Sequence, residues 1–596
     1  MYVRLVDYLD SVNRFRKQKI SNRNFLIVLA IIVGVLAGLA AALLKSMTHT
    51  IEDFLQSDWQ WKYKYYLYLF FPLLGILLTV LYVKYFIRRT KFETGLTPLL
   101  YAISKKSSRV ETHNVYSQII TSAITVGFGG SVGLEAPIVT SGSAIGSTLG
   151  RFLGLSYKEI TMLLACGAAA GIAGAFNSPI AGIVFAIEVL LPEFTIPAFI
   201  PLLLSAATAA VVARIFYTQQ LFFLVTEGWQ VNALFFYVLL AVFIGLFSIY
   251  FTKVNYMVKN FFYGIHHPYK KVLTGGLLLG VMVFLFPTLY GEGYITIKNL
   301  LRGDYLNVIN NSIFSDYNSY PSLVILFTVI TIFAKSIATL VTLGAGGNGG
   351  TFAPSLIMGG LIGFVFAYSV NLTGLVHLNV SNFIVAGMAA ALSSIMHAPL
   401  TGIFLIAEIT GGYVLMVPLM ITSAISYMLN RSVQKHSIYT KALADKGELL
   451  SYEDKDTTVL NQMKLRYLVE KDYVQLLEDE LLNLRMPEIL KSQRNICAVV
   501  DARGDFKGLV YVEEIFSEMM KNPDKELLTA HHLVHTALKL VNINEDLKSV
   551  LGKMEEDRVW VLPVVDSDNN FKGFVSKTSI FNKYRALLMR QADYMS

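Results

Sequence analysis

The chain has 596 residues, of which 54% are hydrophobic and 15% are charged, and its formal net charge at pH 7 is +8. A soluble protein of this length carries a larger share of charged residues, so the composition excludes a soluble globular protein and indicates a polytopic membrane protein. The excess of basic residues is consistent with segments that flank membrane spans and does not indicate a nucleic-acid partner.

A basic segment precedes the first apolar stretch and predicts a cytoplasmic amino terminus. Its residues are Arg14, Arg16, Lys17, Lys19 and Arg23. The stretch that follows is long and has no persuasive small-residue cleavage site, so we interpret it as a retained span rather than a secretory signal. We expect an integral membrane protein of the plasma (inner) membrane with both termini in the cytoplasm.

Five apolar stretches are close to the roughly 20 residues that a membrane-spanning helix needs. They cover residues 25–44, 65–86, 196–217, 234–251 and 272–290. Three other segments are too short, or too rich in Gly, Ser and Ala, to cross a bilayer alone, and we expect them to be buried among other helices. These cover residues 117–127, 138–153 and 162–176.

The membrane part contains an internal duplication. In each copy a Gly-x-x-x-Pro pattern is followed by Pro-x-x-Gly and then by Glu. The first copy consists of Gly133, Pro137, Pro179, Gly182 and Glu188, and the second of Gly350, Pro354, Pro399, Gly402 and Glu408. Apolar segments broken by glycine and proline at corresponding places in two repeats predict a binding site between the repeats, near the middle of the membrane.

The run from Gly129 to Pro137 precedes an apolar helix in the first copy. Glycine lets the backbone turn several N–H groups toward one point, and a helix amino terminus carries a partial positive charge that attracts anions. Glu135 is an ionisable side chain in this setting, so its carboxylate can compete with an anion and release the site when it is protonated. The alternative is that Glu135 only complements the helix dipole.

The composition changes near Tyr439, where the apolar stretches end and a soluble region begins. This region is also duplicated, because residues 499–501 return at 564–566 and the Phe-Lys-Gly of residues 506–508 returns at 571–573. Each copy reads as a strand, an Asp-containing turn, a second strand and a helix, which predicts an α/β module. The predicted domains are a membrane domain at 1–440, a linker with the first module at 441–523, and the second module at 524–596.

These patterns resemble the chloride channel and chloride/proton antiporter (CLC) family, with tandem cystathionine-β-synthase (CBS) domains at the carboxyl end. Residues 133–137 resemble its G-(K/R)-E-G-P motif, residues 350–354 its G-x-F-x-P motif, and Tyr439 the tyrosine that closes the inner end of its anion path. The resemblance implies a polytopic all-α membrane domain of two inverted repeats with broken helices, followed by a cytoplasmic α/β tandem CBS domain pair. It also implies a homodimer in which each subunit has its own pore.

The resemblance makes Glu135 the external gate and chloride, or a similar small anion, the transported ion. The implied anion-binding residues are Gly133, Leu134, Ala136, Gly350, Thr351, Phe352, Ala353 and Tyr439. A third family motif, G-S-G-I-P, corresponds to residues 94–98, where only the proline matches securely. Thr94 or Thr97 is then expected to supply the hydroxyl of the missing serine, unless the backbone alone coordinates the ion.

Two departures from the family motifs bear on mechanism. Leu134 replaces a Lys or Arg, which lowers the positive potential along the path. Val189 stands where the antiporters have an internal proton-transfer glutamate, and valine cannot carry a proton, which favours a chloride channel. The alternative is a chloride/proton antiporter in which Glu188 and water form another internal proton route. Glu188 and Glu408 also admit a structural interpretation as hydrogen-bond acceptors at helix ends, and His397 as a helix cap.

Other classes of function are weighed against transport. The membrane part contains neither a nucleophile with a base nor a metal-binding cluster, so we predict no enzyme activity and no metal site. In CBS domains, nucleotide binding usually uses a Ser or Thr and an Asp after the last strand. These two positions hold Tyr511 and Glu514 in the first module and Ser576 and Ser579 in the second, so the Asp is missing from both. A structural role is therefore favoured over adenine-nucleotide binding, and no cofactor is predicted. A membrane sensor or scaffold that does not transport is the remaining alternative, but it has no need of Glu135.

Overall fold

The computed structural model describes residues 21–56, 64–87, 93–191, 196–218, 228–309, 320–374, 376–446, 460, 463–492, 494–521, 528–536 and 539–592. The chain forms two compact units, Met1–Leu449 and Leu450–Ser596. Of the basic residues before the first span, Arg14, Arg16, Lys17 and Lys19 lie outside the described residues.

The amino-terminal unit is built from helices. In chain order they are α1 (Asn22–Gln56), α2 (Lys64–Leu67), α3 (Phe71–Tyr82), α4 (Thr97–Lys105), α5 (Asn114–Gly127), α6 (Glu135–Phe152), α7 (Tyr157–Phe176), α8 (Pro179–Phe185), α9 (Ile196–Phe216), α10 (Leu234–Gly264), α11 (Pro268–Leu285), α12 (Tyr294–Leu301), α13 (Pro321–Gly344), α14 (Phe352–Leu372), α15 (Val380–Met396), α16 (Pro399–Ile409), α17 (Met416–Val433) and α18 (Lys441–Ala444). Seven helices in the described part of the chain are long and apolar enough to cross a membrane, and they belong to α1, α7, α9, α10, α11, α13 and α14.

The apolar stretches predicted from the sequence omit three of these spans, α7, α13 and α14, and the predicted stretch 65–86 contains only shorter helices, among them α2 and α3. Lys335 and several threonines interrupt the apolar sequence of α13, but the threonine hydroxyls bond back to carbonyls of the same helix, as Thr331 does to Phe327 over 2.8 Å. Residues 162–176, expected to be too short or too rich in Gly, Ser and Ala to cross a bilayer alone, belong to a longer helix that has the length and hydropathy of a span. Helix α7 begins earlier, behind a capping box of Ser156 and Glu159, and has 20 residues. Its burial among other helices is confirmed.

The two repeats place equivalent helix pairs in close contact, α6 against α7 and α14 against α15. Gly142 meets Gly167 at the first crossing, and Gly359 meets Gly387 at the second. A Cβ atom added at any of these glycines would overlap the backbone of the facing glycine. Small residues at helix crossings let backbones approach closely inside a membrane, so these four glycines set the packing of both repeats.

The ends of α7 and α15 are also equivalent. His397 ends α15 in the left-handed conformation, with φ 58°, and its N–H donates to the Ser393 carbonyl. Asn177 ends α7 in the same way, with φ 55°. The predicted role of His397 as a helix cap is confirmed, and the duplication extends to this cap.

The carboxyl-terminal unit contains two three-stranded sheets with the same topology. The strands are β1 (Gln475–Leu477), β2 (Ile496–Val500) and β3 (Phe506–Tyr511) in the first sheet, and β4 (Val541–Asn542), β5 (Val561–Val565) and β6 (Phe571–Ser576) in the second; the helices are α19 (Leu482–Lys491), α20 (Val512–Lys521), α21 (Leu547–Glu556) and α22 (Lys577–Ala592). In each sheet the first strand is parallel to the middle strand and the third is antiparallel to it. The predicted order of strand, turn, strand and helix is confirmed in both copies.

Each module is completed by the chain segment that precedes the other module. Leu465 and Leu468, which precede β1, pack in the core of the second module, and Glu470 forms two backbone hydrogen bonds with Phe574 of β6. Leu528, which precedes β4, packs in the core of the first module. The two modules therefore share their cores with each other's flanking segments.

Candidate functional site

The two glycine motifs lie side by side in the structure. Gly133 and Gly350 form an isolated antiparallel bridge, in which each N–H donates to the other's carbonyl at N···O distances of 2.9 and 2.8 Å. Each glycine lies two residues before a helix begins, at Glu135 for α6 and at Phe352 for α14. A Cβ added to Gly350 would lie 2.7 Å from the Ala136 Cβ. The bridge therefore brings two positively polarised helix termini together.

Glu135 occupies the space between these two termini. Its carboxylate is 3% exposed, and its Oε2 accepts the backbone N–H of Ala353, in the first turn of α14, at 3.4 Å. Its Oε1 accepts a hydrogen bond of 2.8 Å from the Tyr294 hydroxyl. The carboxylate thus holds an N–H group of the kind that an anion would use at a helix terminus.

Aromatic side chains surround the start of α14. The Phe352 ring lies 5.6 Å from the Phe176 ring and 6.5 Å from the Phe185 ring, measured between centroids. The Tyr294 ring meets Phe176 edge-on at 6.3 Å. The backbone N–H groups at this terminus are therefore backed by an apolar wall, which limits the water that competes with an anion for them.

Tyr439 lies against the second motif. Its hydroxyl is 2.6 Å from the Thr351 Oγ1, and its side chain is buried. The Thr97 hydroxyl, at the start of α4, donates to the Tyr439 backbone carbonyl at 2.9 Å. Thr97 thus positions Tyr439, whereas Thr94 takes no part in these contacts within the described chain. The structure therefore brings Thr97, Tyr439 and both glycine motifs to one place.

Glu188 is held by the opposite repeat. Its Oε1 accepts the Leu400 N–H at 3.0 Å, and its Oε2 accepts the N–H and the hydroxyl of Thr401 at 2.8 and 2.7 Å. Glu408 does the same for α8, where it accepts the N–H groups of Ile180 and Ala181 at 3.1 and 2.8 Å. Each carboxylate therefore caps the helix that opens the equivalent segment of the other repeat.

Val189 follows Glu188 in a π-helical turn, Ala186–Leu190, and is half-buried. Its side chain has no group that binds a proton. The contacts described for Glu188 lie at the start of α16, which agrees with the structural interpretation of that residue.

Sequence reasoning missed several functional candidates beside Glu135. Lys45 of α1 is 7% exposed and donates to the Ala175 carbonyl, and Lys335 of α13 is 1% exposed and donates to the Gly291 carbonyl at 2.9 Å. Glu292 accepts the N–H of Leu134 at 3.2 Å. A lone charge inside an apolar helix is the signal that could have found both lysines. Both lysines are electrostatic neighbours of Glu292, which bonds to the Leu134 N–H.

In the carboxyl-terminal unit, the Ser576 hydroxyl donates to Glu470 Oε1 at 2.8 Å. The Ser579 N–H donates to the Ser576 Oγ at 3.0 Å. Glu514 lies 2.7 Å from the His535 Nε2. The side chains at the positions expected for nucleotide contacts are therefore engaged with neighbouring residues of the same unit.

Comparisons with known proteins identify the family of this chain. The family model described as voltage gated chloride channel matches residues 74–431, and the CBS domain model matches residues 530–586. A putative chloride channel protein ClcB-like of Ralstonia nicotianae is 28% identical over 63% of this chain and 84% of its own length. An H(+)/Cl(-) exchange transporter ClcA of Vibrio campbellii is 27% identical over 73% of this chain and 92% of its own length.

Solved structures show the same fold. A slow cyanobacterial Cl⁻/H⁺ antiporter superposes with a TM-score of 0.61 at 22% identity, over 72% of this chain and 99% of the other. A eukaryotic CLC transporter superposes with a TM-score of 0.59 at 17% identity, over 94% of this chain and 99% of the other. The chain therefore belongs to the voltage gated chloride channel (CLC) family of anion-transporting membrane proteins and carries a carboxyl-terminal CBS region.

Proposed function

We propose that the protein exchanges chloride for protons across the membrane. The observation that carries the proposal is the Glu135 carboxylate between the two helix termini, where it accepts the Ala353 N–H. The ionised carboxylate and an anion compete for the same partial positive charges, so an anion enters only when Glu135 is protonated or has turned away. The name of the Vibrio campbellii relative, an H(+)/Cl(-) exchange transporter, supports coupling to protons.

In this mechanism the backbone at both helix termini binds the anion, and Tyr439 closes the path at the other end. The proposed anion-binding residues are Gly133, Leu134, Ala136, Gly350, Thr351, Phe352, Ala353 and Tyr439. The Thr97 hydroxyl positions Tyr439 by its hydrogen bond to the Tyr439 carbonyl. Thr94 is the second candidate for a residue that supplies a hydroxyl near the path. Protonation of Glu135 removes the negative charge that excludes the anion, so one residue couples the two ions.

Substitution of Glu135 tests this role. Glu135→Gln keeps the shape of the side chain but cannot titrate, so we expect chloride efflux from liposomes to persist without pH dependence, and proton movement to fall at least tenfold. Glu159→Gln is the matched control, because Glu159 is another buried glutamate in the first turn of a helix. Full pH sensitivity of chloride efflux in Glu135→Gln would show that Glu135 is not the gate.

An uncoupled chloride channel is the second candidate, and Val189 is the observation that favours it. Exchange requires protons to reach Glu135 from the Tyr439 side. Neither Val189 nor Glu188, whose carboxylate caps α16, offers an evident proton carrier there. A channel has no such requirement. Chloride efflux that moves no protons, in wild-type protein and at every pH, would establish the channel.

We further propose that the protein lies in the plasma (inner) membrane as a homodimer, with both termini in the cytoplasm and one anion path in each subunit. The CBS region then has a structural role in the dimer rather than a nucleotide-sensing one. The engaged Ser576 hydroxyl supports this preference.

A further inference from the structure

Charged side chains gather around Glu292, an electrostatic neighbour of Glu135, and the anion path described above does not account for them. The cluster consists of Lys45, His49 and Glu52 of α1, Glu292 of the loop before α12, and Lys335 of α13. Charges inside a membrane protein are costly unless they are paired, and they commonly mark ion or proton pathways. We therefore ask whether this cluster belongs to an ion or proton pathway.

The course of α1 fixes the side on which the cluster lies. At the start of α1, Asn22 donates to Glu159 at the start of α7. The Tyr157 hydroxyl, at the start of α7, donates a hydrogen bond of 3.1 Å to a backbone carbonyl of α4. Helix α4 in turn bonds to Tyr439 through the Thr97 hydroxyl. The charged residues of α1 lie toward the other end of this 35-residue helix. The cluster is therefore on the side of Glu135 away from Tyr439.

Glu292 is fixed against the start of α6. Its Oε1 accepts the N–H of Leu134, the residue directly before α6, at 3.2 Å. Lys335 fixes the loop that carries Glu292 by donating to the Gly291 carbonyl. The loop backbone is left-handed at Gly291 and Gly293, with φ of 61° and 99°. Helix amino termini have N–H groups without partners inside the helix. Glu292 therefore takes one of the N–H groups that an anion would otherwise use.

The cluster extends from partly exposed to buried side chains. The side chains of His49 and Glu52 are 35% and 16% exposed and lie 3.2 Å apart, Glu292 is half-buried, and Glu135 is 3% exposed. Lys45 is a charged neighbour of both Glu292 and Glu135. A proton that moves between these two carboxylates leaves the total charge beside Lys45 unchanged, which keeps the transfer inexpensive.

We propose that Glu292 is a proton-transfer residue that loads and unloads Glu135 on the side away from Tyr439. A proton passes from water to the Glu292 carboxylate and then to Glu135, so that only O–H bonds break and form. Protonation of Glu292 also weakens its hold on the Leu134 N–H, which becomes available to the anion as Glu135 is neutralised. This inference rests on the proposed exchange of chloride for protons.

Several groups that titrate or carry charge face Glu292 and influence its proton exchange. They are Lys45, His49 and Glu52 of α1, Glu135 of α6, Tyr217 beyond α9, Tyr294 of α12 and Lys335 of α13. The lysines donate to backbone carbonyls, and Tyr294 donates to Glu135. His49 and Glu52 are nearest to water, so they link the cluster to the solvent.

The test compares Glu292→Gln and Glu292→Asp with wild-type protein in liposomes, in which chloride efflux and proton movement are recorded together. The Gln amide oxygen still accepts the Leu134 N–H but exchanges no protons, so we expect proton movement to fall at least tenfold while chloride efflux persists. The Asp variant keeps an ionisable group, and we expect it to retain most of the proton movement. A purely structural role predicts the reverse order, because Asp is shorter than Gln.

Glu408→Gln is the matched control, since Glu408 is a part-buried carboxylate that accepts backbone N–H groups elsewhere in the same unit. All variants are compared as monodisperse protein. Wild-type rates of proton movement in Glu292→Gln overturn the inference and leave the proposed exchange standing, and equal loss in the Asp and Gln variants also overturns it. If wild-type protein moves no protons, the proposed exchange fails and the inference fails with it.

Discussion

At the scale of single residues, the proposed mechanism has two side chains that close the path from opposite ends. Glu135 lies between the helix termini and bonds to the start of α14, and the Tyr439 hydroxyl lies 2.6 Å from the Thr351 hydroxyl. An exchanger requires that the path is never open to both sides at once. The two contacts are therefore expected to open in turn, each controlled by a hydrogen bond.

Removal of the Tyr439 hydroxyl tests the inner contact. A hydrogen bond of this kind contributes about 1 kcal/mol net, so Tyr439→Phe is expected to open the inner end more often and to raise chloride efflux about fivefold. The number of protons moved per chloride should fall as well. Tyr157→Phe is the control, because it removes another tyrosine hydroxyl that forms a hydrogen bond, in this case to the Ile103 carbonyl. Unchanged efflux and coupling in Tyr439→Phe would show that the Thr351 contact does not gate the path.

Asp566 gives the carboxyl-terminal unit a defined acid sensitivity. Lys572 Nζ lies 2.8 Å from its Oδ2, and the N–H groups of Asp568 and Asn570 donate to its Oδ1. Lys572, with these N–H groups, lowers the pKa of the Asp566 carboxyl to about 2. A lowered pKa stabilises the folded state above the unfolded value of about 3.9, and this stabilisation is lost as the pH falls toward 2.

Thermal unfolding of the full-length protein from pH 7 to pH 2 checks this effect. The wild-type carboxyl-terminal unit should lose stability between about pH 4 and pH 2, and Asp566→Asn should be less stable at neutral pH and lose less on acidification. Asp568→Asn is the control in the same turn, because Asp568 contributes its backbone N–H. The same acid dependence in wild type and Asp566→Asn would contradict the assignment.

At the scale of helices, the repeats are locked together by reciprocal caps. Glu188 caps α16 and Glu408 caps α8, and paired glycines set the crossings of α6 with α7 and of α14 with α15. Both features stabilise the frame that presents the two anion-attracting helix termini. We therefore expect Glu188 and Glu408 to serve packing rather than transport.

The caps make a prediction that separates packing from proton transport. Glu188→Ala and Glu408→Ala each remove acceptors from a helix amino terminus, a loss that costs about 1 kcal/mol, and each should lower the thermal unfolding midpoint. Both should keep the ratio of protons to chloride, which is measured in liposomes. Loss of proton movement in Glu188→Ala alone would instead place Glu188 on an internal proton route beside Val189.

At the scale of the whole molecule, the sequence predicts the architecture well and the charged surroundings of the site poorly. The duplicated glycine and proline pattern predicts that two helix termini meet, because such breaks are local properties of the chain. Glu292, Lys45 and Lys335 escape prediction, since the chain distances between them are long and only the fold brings them to Glu135. The span α13 is not predicted because it contains a lysine, Lys335, whose burial depends on carbonyl partners that only the fold provides.

The CBS region makes one prediction for the intact protein. Since Ser576 is engaged with Glu470 and each module shares its core with the other's flanking segment, we expect calorimetric titration of the full-length protein with ATP to give no saturable heat. A saturable heat that Ser576→Ala removes would assign nucleotide binding to this region.

The most direct test of the account is chloride efflux from liposomes that contain the purified wild-type protein, with the external pH recorded and the membrane potential clamped by a potassium ionophore. We predict that the chloride gradient drives protons uphill and that Glu135→Ala abolishes this movement. Chloride efflux that leaves the external pH unchanged would contradict the proposed exchange and make the protein a channel.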